Sequence, residues 1–117
     1  MRVTKMMAML AALAAVAGCA TSQGDSDSAA IRQGEAAASA QCAGCHAIGP
    51  SGESSRKEAR PFRAIAADYS EASLLRELEA ISEVGHYQMP PRPIARQDLQ
   101  ALARYISSLR LPRRRRP

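Results

Sequence analysis

The sequence predicts an all-α protein with long loops between its helices, and three observations support this fold class. Apolar residues recur at helical spacing in three separate segments of the 117-residue chain. The alternation of apolar and polar residues that is typical of half-buried strands does not occur in the sequence. The stretch "PPRP" between the second and third segments holds three prolines in four positions, so it favours an extended path over a helix.

Each predicted helix is recognised by its own composition or end signals. The first runs from about residue 28 to 42 and is rich in alanine, and Gly34 inside it indicates close approach by another element. The second runs from about 70 to 83, where leucines repeat at helical spacing and Gly85 stands just past the end. The third runs from about 96 to 109 along one apolar stripe.

The N-terminus is typical of an export leader. Arg2 and Lys5 precede "MMAMLAALAAVAG", an apolar run shorter than the roughly 20 residues that a membrane-spanning helix needs. The following "VAGC" resembles the lipobox of bacterial lipoproteins, which implies removal of residues 1–18 and lipidation of Cys19 as the first mature residue. Ordinary secretion with cleavage after "AVA" is the alternative. Residues 19–27 are small and polar, and they predict a flexible tether.

The charge distribution argues against a nucleic-acid partner. The net charge is +5, but two of the basic residues lie in the leader and four form the terminal run Arg113–Arg116. The part between them carries ten basic and eleven acidic residues. A nucleic-acid-binding domain needs a basic patch on its fold. We therefore expect one domain at residues 28–110, followed by a basic tail at 111–117, and no binding of nucleic acid.

The stretch "QCAGCHAIGP" contains the residues with the strongest chemical signal. Cys42 and Cys45 are three positions apart, and His46 follows directly. A thiol pair of the thioredoxin type is expected near a βαβ unit. A zinc site needs four ligands, and after the leader the chain adds only His86, besides Cys19. The spacing C-x-x-C-H is the attachment motif of c-type haem, so haem is favoured over a thiol pair or zinc.

Met89 is the candidate for the second axial ligand of such a haem. The other four methionines of the chain all lie in the leader. Met89 stands in "YQMPPRP", where the prolines restrict the freedom of the loop. His86, three residues earlier, is the alternative ligand. A domain of this size with one Phe and no Trp has a small core of its own, and a large apolar cofactor would complete it.

Together, "CAGCHAIGP", "MPP" and "LARYISSL" resemble the class I cytochromes c over residues of about 28 to 110. The resemblance implies a small helical fold around one covalently bound haem c, in which the first and last helices cross. Gly34 would then pack against Tyr105. Lys57 is the only lysine after the leader, so the ring of docking lysines often found in that family is missing here.

The same resemblance assigns the site residues. Cys42 and Cys45 would form the thioethers to the haem, and His46 and Met89 would be the axial ligands of the iron. The backbone carbonyl of Pro50 would hold the other ring nitrogen of His46, which fixes the orientation of the ring. We expect the haem to be lined by a set of apolar side chains, namely Phe62, Ile65, Leu74, Leu78, Leu102 and Ile106.

These assignments predict a one-electron carrier in the bacterial periplasm and not an enzyme, because no open position remains on the iron. We expect a monomer anchored to the membrane by lipid on Cys19, which exchanges electrons with redox partner proteins. Two alternatives stay open. The chain could be a haem-bearing subunit of a larger membrane-associated oxidoreductase, or a ligand-binding or catalytic haem protein whose sixth ligand is displaceable.

Overall fold

The computed structural model describes residues 19–111, and these residues form four α-helices joined by loops. In chain order the helices are α1 (Cys19–Gln41), α2 (Phe62–Asp68), α3 (Glu71–Val84) and α4 (Arg96–Ser108). Within this part of the chain no strand occurs, and the single β-type pairing is an isolated bridge between His86 and Met89. The predicted all-α class is confirmed, and α2 is a short helix between the first two predicted ones.

The predicted signal peptide at residues 1–18 lies outside the described residues, and so does all but the first residue of the basic tail. Both stay predictions. None of the helices in the described range is long and apolar enough to cross a membrane.

The beginning of α1 differs from the prediction. The helix starts at Cys19 and not near Ser28, so residues 19–27, which were expected to form a flexible tether, are helical in the described backbone. No proline interrupts this stretch. The carboxylate of Asp27 also lies 2.5 Å from a guanidinium nitrogen of Arg104 in α4, which ties this part of α1 to the domain.

The crossing of α1 and α4 organises the fold. Gly34 is buried at this crossing, and a Cβ atom there would lie 2.1 Å from the carbonyl oxygen of Ala101 and 2.6 Å from the Cβ of Tyr105. Only glycine allows this approach. The predicted packing of Gly34 against Tyr105 is confirmed. The hydroxyl of Tyr105 also donates a hydrogen bond to the Ile48 carbonyl at 2.9 Å, which connects α4 to the loop after α1.

Local signals set the ends of α3. The Ser70 hydroxyl accepts a hydrogen bond from the backbone nitrogen of Ser73 at 3.2 Å, which is the usual role of an N-cap residue. At the other end Gly85 has φ 71°, a left-handed conformation that glycine adopts without strain. The predicted helix at 70–83 is confirmed within one residue. Helices α1 to α4 enclose one apolar core, formed by Ala38, Cys42, Phe62, Ala66, Leu74, Leu102, Ala103, Tyr105 and Ile106.

Candidate haem site

The C-x-x-C-H motif forms a tight turn directly after α1. The backbone nitrogen of Cys42 donates to the Ala38 carbonyl at 2.8 Å and so continues the helical pattern. The Cys42 carbonyl then accepts hydrogen bonds from the nitrogens of Cys45 at 3.1 Å and His46 at 2.9 Å. One continuous hydrogen-bonded turn therefore positions both thiols and the imidazole.

The buried position of Cys42 does not favour a thiol switch. Cys42 and Cys45 are not joined in a disulfide bond. Burial raises the pKa of the Cys42 thiol to about 11, although the charge of Arg92 opposes this shift. Reactive and metal-binding cysteines are thiolates with a lowered pKa. A buried, protonated thiol beside a second free one is compatible with conversion to a thioether, which carries no charge.

The zinc alternative also finds no support in the geometry. Across residues 19–111, no group of three or more His, Cys, Asp and Glu side chains is arranged to hold a metal ion. The two thiols and the two histidines counted from the sequence are therefore not gathered into a tetrahedral set. Zinc sites in proteins are built from three or four such ligands, and the described residues do not bring such a set together at the motif.

The His46 ring is oriented by a backbone carbonyl, but not by the predicted one. Its Nδ1 lies 2.7 Å from the carbonyl oxygen of Arg60. The carbonyl can only accept, so Nδ1 carries the proton and Nε2 keeps a lone pair for a metal. Pro50, predicted for this role, is exposed. The reason is the closure of the loop: the Phe62 nitrogen donates to the Ala47 carbonyl at 2.9 Å and brings Arg60 beside His46.

Met89 and His86 face each other across a tight hairpin. The His86 nitrogen donates to the Met89 carbonyl at 3.0 Å, and the Met89 nitrogen donates to the His86 carbonyl at 2.7 Å. Gln88 at the tip has φ 57°. Gly85 lies at the base, where a Cβ atom would be 2.3 Å from the Met89 carbonyl oxygen. The hairpin is therefore packed directly onto the end of α3.

Ser82 holds the chain that follows the hairpin, a role that was not predicted from the sequence. Its buried hydroxyl donates to the Arg92 carbonyl at 2.8 Å and accepts from the Ile94 nitrogen at 2.9 Å. A signal was present in the sequence. Leu74, Leu78 and Ser82 follow one another at intervals of four, so a polar residue occupies the apolar face of α3. A buried hydroxyl in that position needs hydrogen-bond partners.

An apolar cavity of about 400 Å³ lies between the motif, α3 and the hairpin. Cys42, His46 and Met89 line it together, and the Phe62 ring lies 5.5 Å from the His46 ring, centroid to centroid. The apolar lining is completed by Ile65, Leu74, Leu78, Ile81 and Ile106.

Five of the six side chains predicted to line the haem are therefore part of this cavity. Leu102 is the exception, because it is fully buried in the helical core and does not line the cavity. A second cavity of about 380 Å³ shares the wall formed by Cys42, His46, His86 and Met89.

These residues fit a covalently bound haem. Two free thiols are available for thioethers, and the free Nε2 of His46 and the sulfur of Met89 are suitable axial ligands of the iron. The cavity supplies an apolar shell around a macrocycle. Cys45 lines the second cavity and not the first, so a group attached to both cysteines would have to reach both cavities.

Comparison with known proteins identifies the family of the chain. A family model described as "Cytochrome C oxidase, cbb3-type, subunit III" matches residues 29–106, which is more than half of the chain. No curated protein and no solved structure matched. The matched range contains the C-x-x-C-H motif, the hairpin and most of α4. The chain therefore belongs to this family, and it is a class I c-type cytochrome that binds haem c covalently and serves haem-based electron transfer.

Proposed function

We propose that the protein is a one-electron carrier whose haem iron is held by His46 and Met89. The main support is that both residues line one apolar cavity while Nδ1 of His46 is occupied by the Arg60 carbonyl. The haem supplies one-electron chemistry by cycling between Fe(III) and Fe(II). With both axial positions filled by protein side chains, no position is left for a substrate.

The chain's own residues set the properties of such a carrier. The hydrogen bond from His46 to Arg60 fixes the imidazole ring and increases its basicity as a ligand. A methionine ligand raises the reduction potential relative to a second histidine. Phe62, Leu74 and Ile106 are buried beside the cavity, and this apolar wall would lower the local polarity on one side of the iron.

Absorption spectroscopy of the exported holoprotein tests the ligation. We expect a sharp low-spin α-band in the reduced protein and a weak far-red band in the oxidised protein from the methionine–iron bond. Met89→Ala removes the far-red band, whereas Gln88→Asn, a control in the same hairpin, keeps it. Retention of the band in Met89→Ala would show that another residue is the ligand. Binding of carbon monoxide by the unaltered reduced protein would instead favour a ligand-binding or catalytic haem protein.

We further propose that the protein works in the periplasm and is anchored by lipid on Cys19. This is supported by the leader-like N-terminus and by the lipobox-like "VAGC" in the sequence. Stable anchoring requires two or more acyl chains. The mass of the mature N-terminus, measured after export, distinguishes a lipidated Cys19 from cleavage after Ala17. Cleavage after Ala17, with no added lipid, would contradict the anchor.

A second candidate function is that of an electron-transferring subunit of an oxidase. The description of the matched family, a subunit III of a cytochrome c oxidase, favours it. Solubilisation of membranes in mild detergent followed by purification through a tag on this chain distinguishes the two functions. A subunit co-purifies with an oxidase in a fixed ratio, whereas a free carrier is recovered alone.

A further inference from the structure

We propose that His86 is a reserve axial ligand, which takes the position opposite His46 when the sulfur of Met89 leaves the iron. This inference rests on the proposed His46 and Met89 coordination and extends it. The hairpin would then offer two distal ligands, of which Met89 is the resting one.

The distance between the two histidines is suited to a shared metal ion. The ring centroids of His46 and His86 are 6.4 Å apart, and the ring planes are nearly perpendicular at 89°. A bond from imidazole nitrogen to a first-row metal is about 2 Å long. Two such bonds, together with half of each imidazole ring, come to about the observed separation.

The hairpin places His86 and Met89 on the same side. Residues that exchange both backbone hydrogen bonds in an antiparallel pair lie directly opposite each other, and their side chains leave the ribbon on one face. His86 and Met89 form such a pair. Accordingly, both residues line both cavities, next to His46. One ligand can therefore replace the other by side-chain rotation, while Gly85 and Ser82 continue to hold the backbone.

The hydrogen bonds of the two histidines explain why one is committed and the other is in reserve. Nδ1 of His86 lies 3.3 Å from the Tyr87 carbonyl, so Nε2 keeps its lone pair but the ring is only weakly held. The corresponding contact from His46 to Arg60 is 2.7 Å. His86 is also exposed, whereas Met89 is half-buried. The sulfur of Met89 thus already lies inside the site, whereas the imidazole of His86 has to give up its contact with solvent to replace it.

The exchange would change what the site can do. A histidine in place of methionine lowers the reduction potential of the iron. A carrier in the His46 and His86 state would accept electrons less readily from the same donor. Without His86, loss of the sulfur would leave an open coordination position that small molecules could occupy.

Holoproteins carrying Met89→Ala alone and Met89→Ala with His86→Ala test the proposal by absorption and electron paramagnetic resonance. We expect the single variant to lack the far-red band and to remain low-spin, and the double variant to be high-spin and to bind carbon monoxide when reduced. Met89→Ala with Gln88→Asn is the matched control and remains low-spin. A high-spin Met89→Ala protein overturns the proposal.

Titration with imidazole is a second test, in which the single and the double variant both end as folded, low-spin complexes. Because His86 competes from within the hairpin at a high effective concentration, imidazole should bind Met89→Ala at least about tenfold more weakly than the double variant. Equal affinities overturn the proposal. Far-ultraviolet circular dichroism checks that both variants keep their helices.

The unaltered protein separates this proposal from the proposed function. A far-red band in the unaltered protein, with a high-spin Met89→Ala variant, overturns the reserve role of His86 and leaves the Met89 ligation intact. An unaltered protein that is low-spin without the band, and that becomes high-spin in His86→Ala, overturns both, because His86 is then the resting ligand.

Discussion

The two sides of the haem site are held in different ways. On the proximal side, Cys42 to His46 continue directly from α1, and the hydrogen bond from His46 to Arg60 orients the ring. On the distal side, Met89 lies in a hairpin that is held to α3 by the close contact at Gly85, and Ser82 fixes the chain that follows. The position of His46 thus depends on helix packing, and the position of Met89, the proposed distal ligand, on a few loop contacts.

This difference predicts two kinds of damage. A substitution that disturbs the crossing of α1 and α4 should unfold the domain as a whole, since the crossing supports the core. A substitution at the base of the hairpin should release the distal ligand first, because the four helices do not need the hairpin to pack together. The proximal attachment should survive the second kind of change.

The largest effect is expected from Gly34→Ala. The added Cβ would lie 2.1 Å from the carbonyl oxygen of Ala101, so backbone must move and α1 separates from α4. Overpacking of this kind lowers the free energy of unfolding by up to about 3 kcal/mol. We expect a loss near this upper value, because the clash is with backbone atoms. Chemical denaturation of the holoprotein, followed by circular dichroism, measures the loss.

Gly24→Ala is the matched control for this change. Gly24 lies in the same helix with nothing within 4 Å of an added Cβ, so alanine should stabilise by about 0.5–1 kcal/mol through its higher helix propensity. Similar losses at both positions would mean that the crossing is not the source of the effect.

The next effect is expected from Gly85→Ala, on the distal side. A residue with φ 71° is strained when it carries a side chain, and the added Cβ meets the Met89 carbonyl at 2.3 Å. The combined penalty is at least about 2 kcal/mol, but it falls mainly on the hairpin and not on the helical core. We expect the far-red methionine band to weaken or disappear while the helical content measured by circular dichroism is unchanged.

Gly52→Ala separates strain from contact. Gly52 has φ 91° but open space around an added Cβ, so it bears only the backbone penalty of about 1 kcal/mol. The far-red band should persist in this variant. Loss of the band at Gly52 and not at Gly85 would reverse the assignment of the hairpin as the distal support.

Ser82→Ala tests the attachment of the chain after the hairpin. The change leaves the Arg92 carbonyl and the Ile94 nitrogen without their partner. Arg92 is exposed and Ile94 half-buried, so water can partly replace the lost partner and the loss should cost about 1–2 kcal/mol for the two hydrogen bonds together. Hydrogen exchange should show faster exchange at Ile94 than in the unaltered protein. Ser107→Ala is the control, because the buried hydroxyl of Ser107 has no hydrogen-bond partner in the described structure and its loss should be nearly neutral. If both serines behave alike, the Ser82 contacts do not hold the loop.

The proximal side could largely be predicted from the sequence because its signals are local. The spacing of Cys42, Cys45 and His46 places them in one turn, and Gly34 inside a helix indicates a close contact. The end of α3 at Gly85 follows from glycine's freedom at positive φ. Each of these inferences needs only neighbouring residues and elementary geometry.

The features that were missed depend on distant parts of the chain. The carbonyl that orients His46 belongs to Arg60 and not to Pro50. Every residue has a backbone carbonyl, so the sequence of a polar loop without periodicity does not indicate which one will face the ring. The helical start of α1 is tied to Arg104 through Asp27, across 77 positions of sequence. That contact exists only after α1 and α4 have packed, so a local pattern of small polar residues predicted a tether.

The smallest effect is expected from Tyr105→Phe, which removes one proximal contact without disturbing the packing. The phenol donates to the Ile48 carbonyl, and its loss should destabilise the holoprotein by about 1 kcal/mol at neutral pH. Burial, with a smaller contribution from Glu35, raises the pKa of Tyr105. As the pH rises, the phenol of the unfolded protein therefore ionises before that of the folded protein. The contribution of Tyr105 to stability is complete below about pH 10, and it is lost as the pH rises through the pKa of the folded protein. Denaturation midpoints measured from neutral to alkaline pH should fall less steeply in Tyr105→Phe. Tyr87→Phe, at a residue that is 78% exposed, should show the same pH dependence as the unaltered protein. An equal change in both variants would mean that the loss of stability at alkaline pH does not come from Tyr105.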